Sequence, residues 1–117
     1  MKYYDQAVMS EVRSALDDRL LSREGVSTKP MFGCPCYRAD GRLFAFLVTG
    51  GLVLTQLPQS VRDQLSPSFH TELFEATGRR MKNWLRFPVE APAALEPLDD
   101  LIDVSYSTAL LSIDDPQ

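Results

Sequence analysis

The dipeptide Asp40-Gly41 constrains this chain more than any other feature, because it sits between two apolar runs and suits one kind of connection. A two-residue type I′ hairpin needs positive φ at both central residues, and Asp-Gly is among the few pairs that tolerate it. On its C-terminal side Arg42–Val48 reads as a strand, and a turn at Gly50-Gly51 leads to another over 52–57. On its N-terminal side Met31, Phe32, Cys34, Cys36 and Tyr37 form one run, interrupted by Pro30, Gly33 and Pro35. Proline donates no ladder hydrogen bond, so this first strand is expected at a sheet edge or at a bulge. The expectation is a three-stranded antiparallel meander.

Helical periodicity brackets the meander. Over residues 5–21, Val8, Val12, Ala15, Leu16 and Leu20 recur at three- and four-residue spacing, with Glu11, Arg13, Asp17 and Asp18 on the other side. Asp5 suits the N-cap, and Gly25 ends the pattern beyond Arg23, a cation near the negative end of the helix dipole. Pro58 opens a short helix over 59–65, with Val61 and Leu65 as its buried pair. Residues 69–76, with Phe69, Leu73 and Phe74, read as a fourth strand and Thr77-Gly78 as a turn. Met81, Trp84, Leu85 and Phe87 then form a fifth strand ended by Pro88. Residues 89–97, rich in proline and alanine, read as a connector. Beyond it Leu98, Leu101, Ile102, Tyr106, Ala109, Leu110 and Ile113 give a last helical stripe, with Asp99, Asp100 and Asp103 at its start. The order α-β-β-β-α-β-β-α predicts a two-layer α+β fold, a five-stranded antiparallel sheet with its helices packed on one face.

At 117 residues, 44% apolar and 24% charged, the chain has room for one domain, spanning 1–117 with a core over about 5–113. No apolar run approaches the roughly 20 residues of a membrane span, and the start lacks an apolar signal core, so a soluble cytoplasmic protein is expected. The net charge of −4 is unlike that of a generic nucleic-acid binder. It hides an asymmetry: residues 88–117 hold seven acidic groups and no Lys or Arg, while the rest hold 12 basic groups against nine acidic ones. The most basic stretch is Arg79, Arg80, Lys82 and Arg86. A positive face masked by an acidic C-terminal element fits these numbers, and a plainly solvated surface fits them too.

Catalytic patterns are lacking. His70 is the only histidine, no serine sits in a nucleophile elbow, and no phosphate-binding glycine pattern joins a strand to a helix. Cys34 and Cys36 flank Pro35, too close for an easy disulfide and too few with His70 for a closed zinc site. They read as packing thiols; a redox, modification or metal role through Cys34, which lies beside a glycine, is the alternative. No enzyme activity, cofactor or metal is expected.

Lys29-Pro30-Met31-Phe32-Gly33 and Gly78-Arg79-Arg80-Met81-Lys82-Asn83-Trp84, with Asp40-Gly41 and Leu57-Pro58 between them, resemble the N-terminal domain of the TfoX family of bacterial competence regulators. Order and spacing match over about residues 8–112. The resemblance implies a two-layer α+β fold similar to YjbR-like and secretion-chaperone-like domains. Cys34-Pro35-Cys36 departs from the family's usual glycine and apolar continuation, and the family's second, helical domain has no counterpart in this chain. The implied role is a non-enzymatic protein-interaction module in transcriptional or competence-type regulation.

The candidate surface comprises Lys29, Met31, Phe32 and Gly33 with Arg79, Arg80, Lys82 and Trp84, on strands expected to lie side by side with Lys29 near Lys82. A cationic cluster beside an exposed Trp ring suits a phosphate, carboxylate or nucleic-acid backbone. Nucleic-acid binding through Arg79–Arg86 is therefore the alternative function. The bland reading makes the aromatics core and the cations solubilising groups on a sheet edge. A homodimer is a further expectation, through the first strand or the apolar connector 89–95.

Overall fold

The turn residues set the topology. The computed structural model describes residues 4–31, 33–63, 72–76 and 79–112, with 72–76, 79–83 and 112 as backbone. After helix α1 (Gln6–Leu20) come strands β1 (Val26–Met31), β2 (Cys34–Ala39), β3 (Arg42–Val48) and β4 (Gly51–Leu54), then helix α2 (Gln59–Asp63). Strands β5 (Glu72–Ala76) and β6 (Arg79–Pro88), a 3-10 helix (Pro92–Leu98) and helix α3 (Asp99–Ser112) complete the chain. All strand pairings are antiparallel, in the order β1-β2-β3-β4-β6-β5. This is the expected antiparallel α+β architecture.

The sheet carries one strand more than the sequence suggested, because the run 31–37 folds back on itself. Met31 pairs with Cys34, and Gly33, just before Cys34, takes φ +77. The next pair outward is Pro30 opposite Pro35. In antiparallel alternation that is a position where neither residue bonds the other, so the missing N–H groups leave no gap between these strands. Pro30 then faces the open edge, and Pro35 lies beyond the first β2–β3 pair, Cys36 with Phe46. The Asp40-Gly41 turn forms as expected, with φ +49 and +88. The following turn falls one residue earlier than expected, since Val48 pairs with Gly51 around Thr49-Gly50.

A bulge links sheet to helices. Tyr37 pairs with Ala45 and Arg38 with Leu43, so Phe44 is the extra residue on β3. A bulge re-aims a side chain, and the Phe44 ring meets Tyr106 of α3 edge-on at 5.5 Å. Here the fully buried Ser105 hydroxyl donates to the Phe44 carbonyl (2.6 Å) and accepts from the Gln56 N–H (3.2 Å). The Phe44 carbonyl also accepts from the Thr55 N–H at 3.1 Å, so the helix side chain extends the β3–β4 bonding to the Gln56 N–H. Ser105→Ala strips the Gln56 N–H of that acceptor. The expected loss is about 1–3 kcal/mol, read as a lower urea midpoint with an unchanged slope.

Helix α1 is capped by Asp5, whose carboxylate accepts from Ala7 N at 3.0 Å. Its buried stripe is Met9, Val12, Leu16 and Leu20. Val8, expected in that stripe, is 64% exposed. Met9 takes the place because its thioether reaches the β3–β4 turn, where Sδ accepts from Gly50 N at 3.3 Å. The Tyr37 hydroxyl donates to Asp17, tying α1 to β2. Burial and that carboxylate push the Tyr37 phenol far above its usual pKa.

Two ion pairs clasp α1 and its following turn to α3: Arg19 to Asp99 at 2.9 Å, and Arg23 to Asp103. Arg23 also lies 5.2 Å from the Tyr106 ring centre, and the Tyr106 hydroxyl donates to the Glu24 carbonyl. Asp99 and Asp103, two of the acidic groups expected to mask a positive face, thus pair with Arg19 and Arg23. The connector's two largest apolar side chains belong to this chain's own core: its 3-10 helix turns Leu95 inward, and Val89 and Leu95 are both wholly buried, while Ala91 and Ala93 are exposed. Along 44–48 and 51–55 residues of both parities are buried, so both faces of the central strands are closed to water. Leu65, Phe69 and Ile113 lie outside the described residues, and Val61 is half-buried against the core.

Candidate functional site

The sheet divides the candidate residues into two groups. Lys29 lies exposed on the edge strand β1, whereas Arg79, Arg80, Lys82 and Trp84 lie on β6. Strands β2, β3 and β4 stand between them. Four strand spacings of about 4.8 Å separate β1 from β6 by roughly 19 Å along the sheet. They also differ in end. Gly33 and the closing pair Met31–Cys34 lie at the end that holds Val48, Gly51 and Pro88, while Arg79 and Arg80 lie beyond Leu54 and Leu85 at the other. Lys29 and Lys82 are thus not neighbours, contrary to expectation, because the meander continues away from β1 and β6 joins it at β4. Phe32 and Gly78 lie outside the described residues.

The β6 group has a distinctive support. Strand β4 pairs with β6 only from Leu85 to Pro88. Ahead of that ladder, Arg79 and Arg80 pair with β5, Ala76 opposite Arg79 and Glu75 opposite Arg80, as a two-stranded ribbon past the end of β4, and Met81 to Asn83 lie between the two stretches of β5 pairing. Its register shifts between Leu73 and Glu75, so side-chain alternation does not continue unbroken into the sheet body.

Trp84 anchors the ribbon's base. Its half-buried ring meets Phe46 edge-on at 5.4 Å. The indole is engaged with the core, so it is not the exposed stacking platform that the sequence allowed. Arg86 belongs to the sheet body too. It pairs in register with Val53 and Glu72, and its guanidinium donates to the Thr49 carbonyl at 3.3 Å. Its side chain runs along Gly51, where an added Cβ would stand 2.9 Å from Nε, so glycine makes room for the arginine. The basic segment therefore divides into Arg79, Arg80 and Lys82 on the ribbon and Arg86 bracing a turn. Sequence reasoning anticipated both strands of this pair but not that it runs past the end of β4; the glutamates of 72–76 opposite the arginines of 79–86 were the available signal for its register.

Cys34 and Cys36 are reduced and buried, and the glycine beside Cys34 does not expose it. Burial pushes both thiols up to about 11, with the neighbouring Cys36 also raising Cys34. A reactive cysteine needs the opposite shift, toward the thiolate. Because the folded thiols stay neutral above their ordinary value of 9.0, the unfolded chain loses its protons first as pH rises. Their contribution to stability is present in full below pH 9 and is lost between about 9 and 11. Urea midpoints at pH 7, 9 and 11 should show a steeper fall for the wild type than for Cys34→Ala/Cys36→Ala. Equal falls would contradict the account of the thiols.

Among the described residues no three His, Cys, Asp or Glu groups gather as a metal site, and no helix is long and apolar enough to cross a membrane. His70 lies outside the described residues. Comparison with models of known protein families and with curated proteins finds no match to this chain, so the likeness to the TfoX N-terminal domain rests on its four motifs.

Proposed function

We propose that this chain is a non-enzymatic protein-interaction module, of the regulatory kind that the TfoX-like motifs imply, and that the β5–β6 ribbon is the surface it offers a partner protein. The carrying observation is the ribbon itself: residues 79–83 of β6 precede its ladder with β4, Arg79 and Arg80 pair with β5, and the segment holds three of the chain's cations. The register favours a protein over a polyphosphate, because Arg80 stands opposite Glu75 and so brings an acidic position in among the cations, a mixed charge that suits the polar rim of a protein interface. The non-enzymatic reading is supported by the sequence, where no serine sits in a nucleophile elbow and no phosphate-binding glycine pattern joins a strand to a helix. Two reduced thiols suit a cytoplasmic setting.

The surface contracts to Arg79, Arg80 and Lys82, with Trp84 as its internal anchor; Lys29 and Gly33 stand apart from it. Residues 27–30 of β1 are exposed, and Lys29 and Pro30 guard that edge against strand pairing with a second copy. The test is capture from nuclease-treated lysate by the wild type and by Arg79→Glu/Arg80→Glu/Lys82→Glu. A partner protein lost in the variant supports the reading. One observation favours nucleic acid instead: a two-stranded ribbon fits a major groove. That reading requires retained nucleic acid, weakening with salt and lost in the same variant; no binding at low salt eliminates it.

A further inference from the structure

We infer that Met31, Cys34 and Cys36 form a binding site for one soft monovalent metal ion of the Cu(I) or Ag(I) class. The β1–β2 hairpin brings the three sulfur-bearing residues together. Cys34 and Cys36 are two apart on one strand and share a face, and Met31 stands directly opposite Cys34. The Cys36 thiol reaches the backbone of both other residues, with Sγ 3.4 Å from the Cys34 carbonyl oxygen and 3.9 Å from that of Met31. Spacings of about 5–7 Å between such backbone positions allow χ rotation to bring the sulfurs to metal–sulfur lengths near 2.3 Å.

The donor set decides the ion. Two thiols and a thioether, with no hard ligand among them, select Cu(I)-like ions, whereas structural zinc requires four ligands of the Cys and His type. The surroundings agree. Cys34 and Cys36 are 1% and 0% exposed, in an apolar core that excludes competing water. Met31 is half-buried, and Gly33, next to Cys34, is exposed. Burial keeps both thiols protonated in the free protein, so the ion has to displace both protons, and the resulting dithiolate–monovalent complex carries a single negative charge. Binding breaks two S–H bonds, forms two metal–thiolate bonds and releases two protons to solvent, with no change of oxidation state.

The experiment is an anaerobic titration of the full chain with Ag(I), and with Cu(I) supplied as such, in the presence of a competing chelator. The expected result is one ion retained per chain, about two protons released, an ultraviolet thiolate-to-metal band and an unchanged near-ultraviolet circular dichroism spectrum. Cys34→Ser and Cys36→Ser each abolish retention, and Met31→Leu, a volume-conserving change at the hairpin's end, weakens it about tenfold or more. The inference is overturned if the wild type retains no ion, or binds only with loss of the native spectrum. It is equally overturned by retention of Zn(II) alongside the soft ions, or by a Met31→Leu variant that binds as tightly as wild type. Should the serine variants fail to fold, the wild-type spectrum and Met31→Leu still decide it.

Discussion

Phe46→Ala is expected to lower the unfolding free energy by about 3–5 kcal/mol, the range for truncating a buried phenylalanine. Phe46 is wholly buried in β3, and its neighbours in register are Cys36 on β2 and Val53 on β4. Strands bonded on both sides hold the backbone in place, so the vacated space cannot readily collapse and the cavity adds to the lost transfer energy. The edge-on contact with Trp84 adds about 0.5–1.5 kcal/mol beyond burial. A small domain has about 5–15 kcal/mol in total, so the variant stands near the limit of folding. Urea unfolding followed by far-ultraviolet circular dichroism measures both effects, and the same readout serves a double-mutant cycle with Trp84→Leu, which isolates the ring pair although it removes the chain's single tryptophan. A loss below about 1 kcal/mol would mean that the core does not close over this face of the sheet.

The second large effect concerns binding rather than folding. Arg79→Glu/Arg80→Glu/Lys82→Glu should abolish partner capture while leaving the melting temperature nearly unchanged. These positions precede the β4–β6 ladder, which begins at Leu85, so the inversion leaves the body of the sheet alone. Arg80→Glu does create a like-charge pair with Glu75, at about 0.2–1 kcal/mol. Adding Glu75→Lys restores an opposite pair with its sign exchanged, and should recover that stability without recovering binding. Loss of a central charged contact in an interface costs about 2 kcal/mol or more, some 30-fold in affinity. Capture unaffected by the triple change would remove the ribbon from the interface.

Local rules that act through one or two residues were legible in the sequence. Asp40-Gly41 turned the chain with both φ positive, and Asp5 capped the first helix. The first strand misled because three interruptions, Pro30, Gly33 and Pro35, read as faults in a single strand. They are a hairpin's turn and two facing prolines, and only the cross-strand register reveals why the prolines are tolerated. Met9 displaced Val8 for a similar reason, since the thioether's partner, the Gly50 N–H, is 41 residues away. The two candidate motifs looked like one site because strand order is a long-range property. Nothing in the residues of 78–84 announces that β6 joins the sheet at β4 rather than at β1. Likewise Ser105 looked like one serine among many until the parted ends of β3 and β4 gave its hydroxyl a task.

The central claim, that the ribbon and not the β1 edge meets the partner, can be tested by placing a photo-crosslinking residue at position 82 in one protein and at position 29 in another. After irradiation in cells, the account predicts a discrete protein adduct from position 82 and none from position 29. An adduct from position 29 alone, or from neither position, would contradict it.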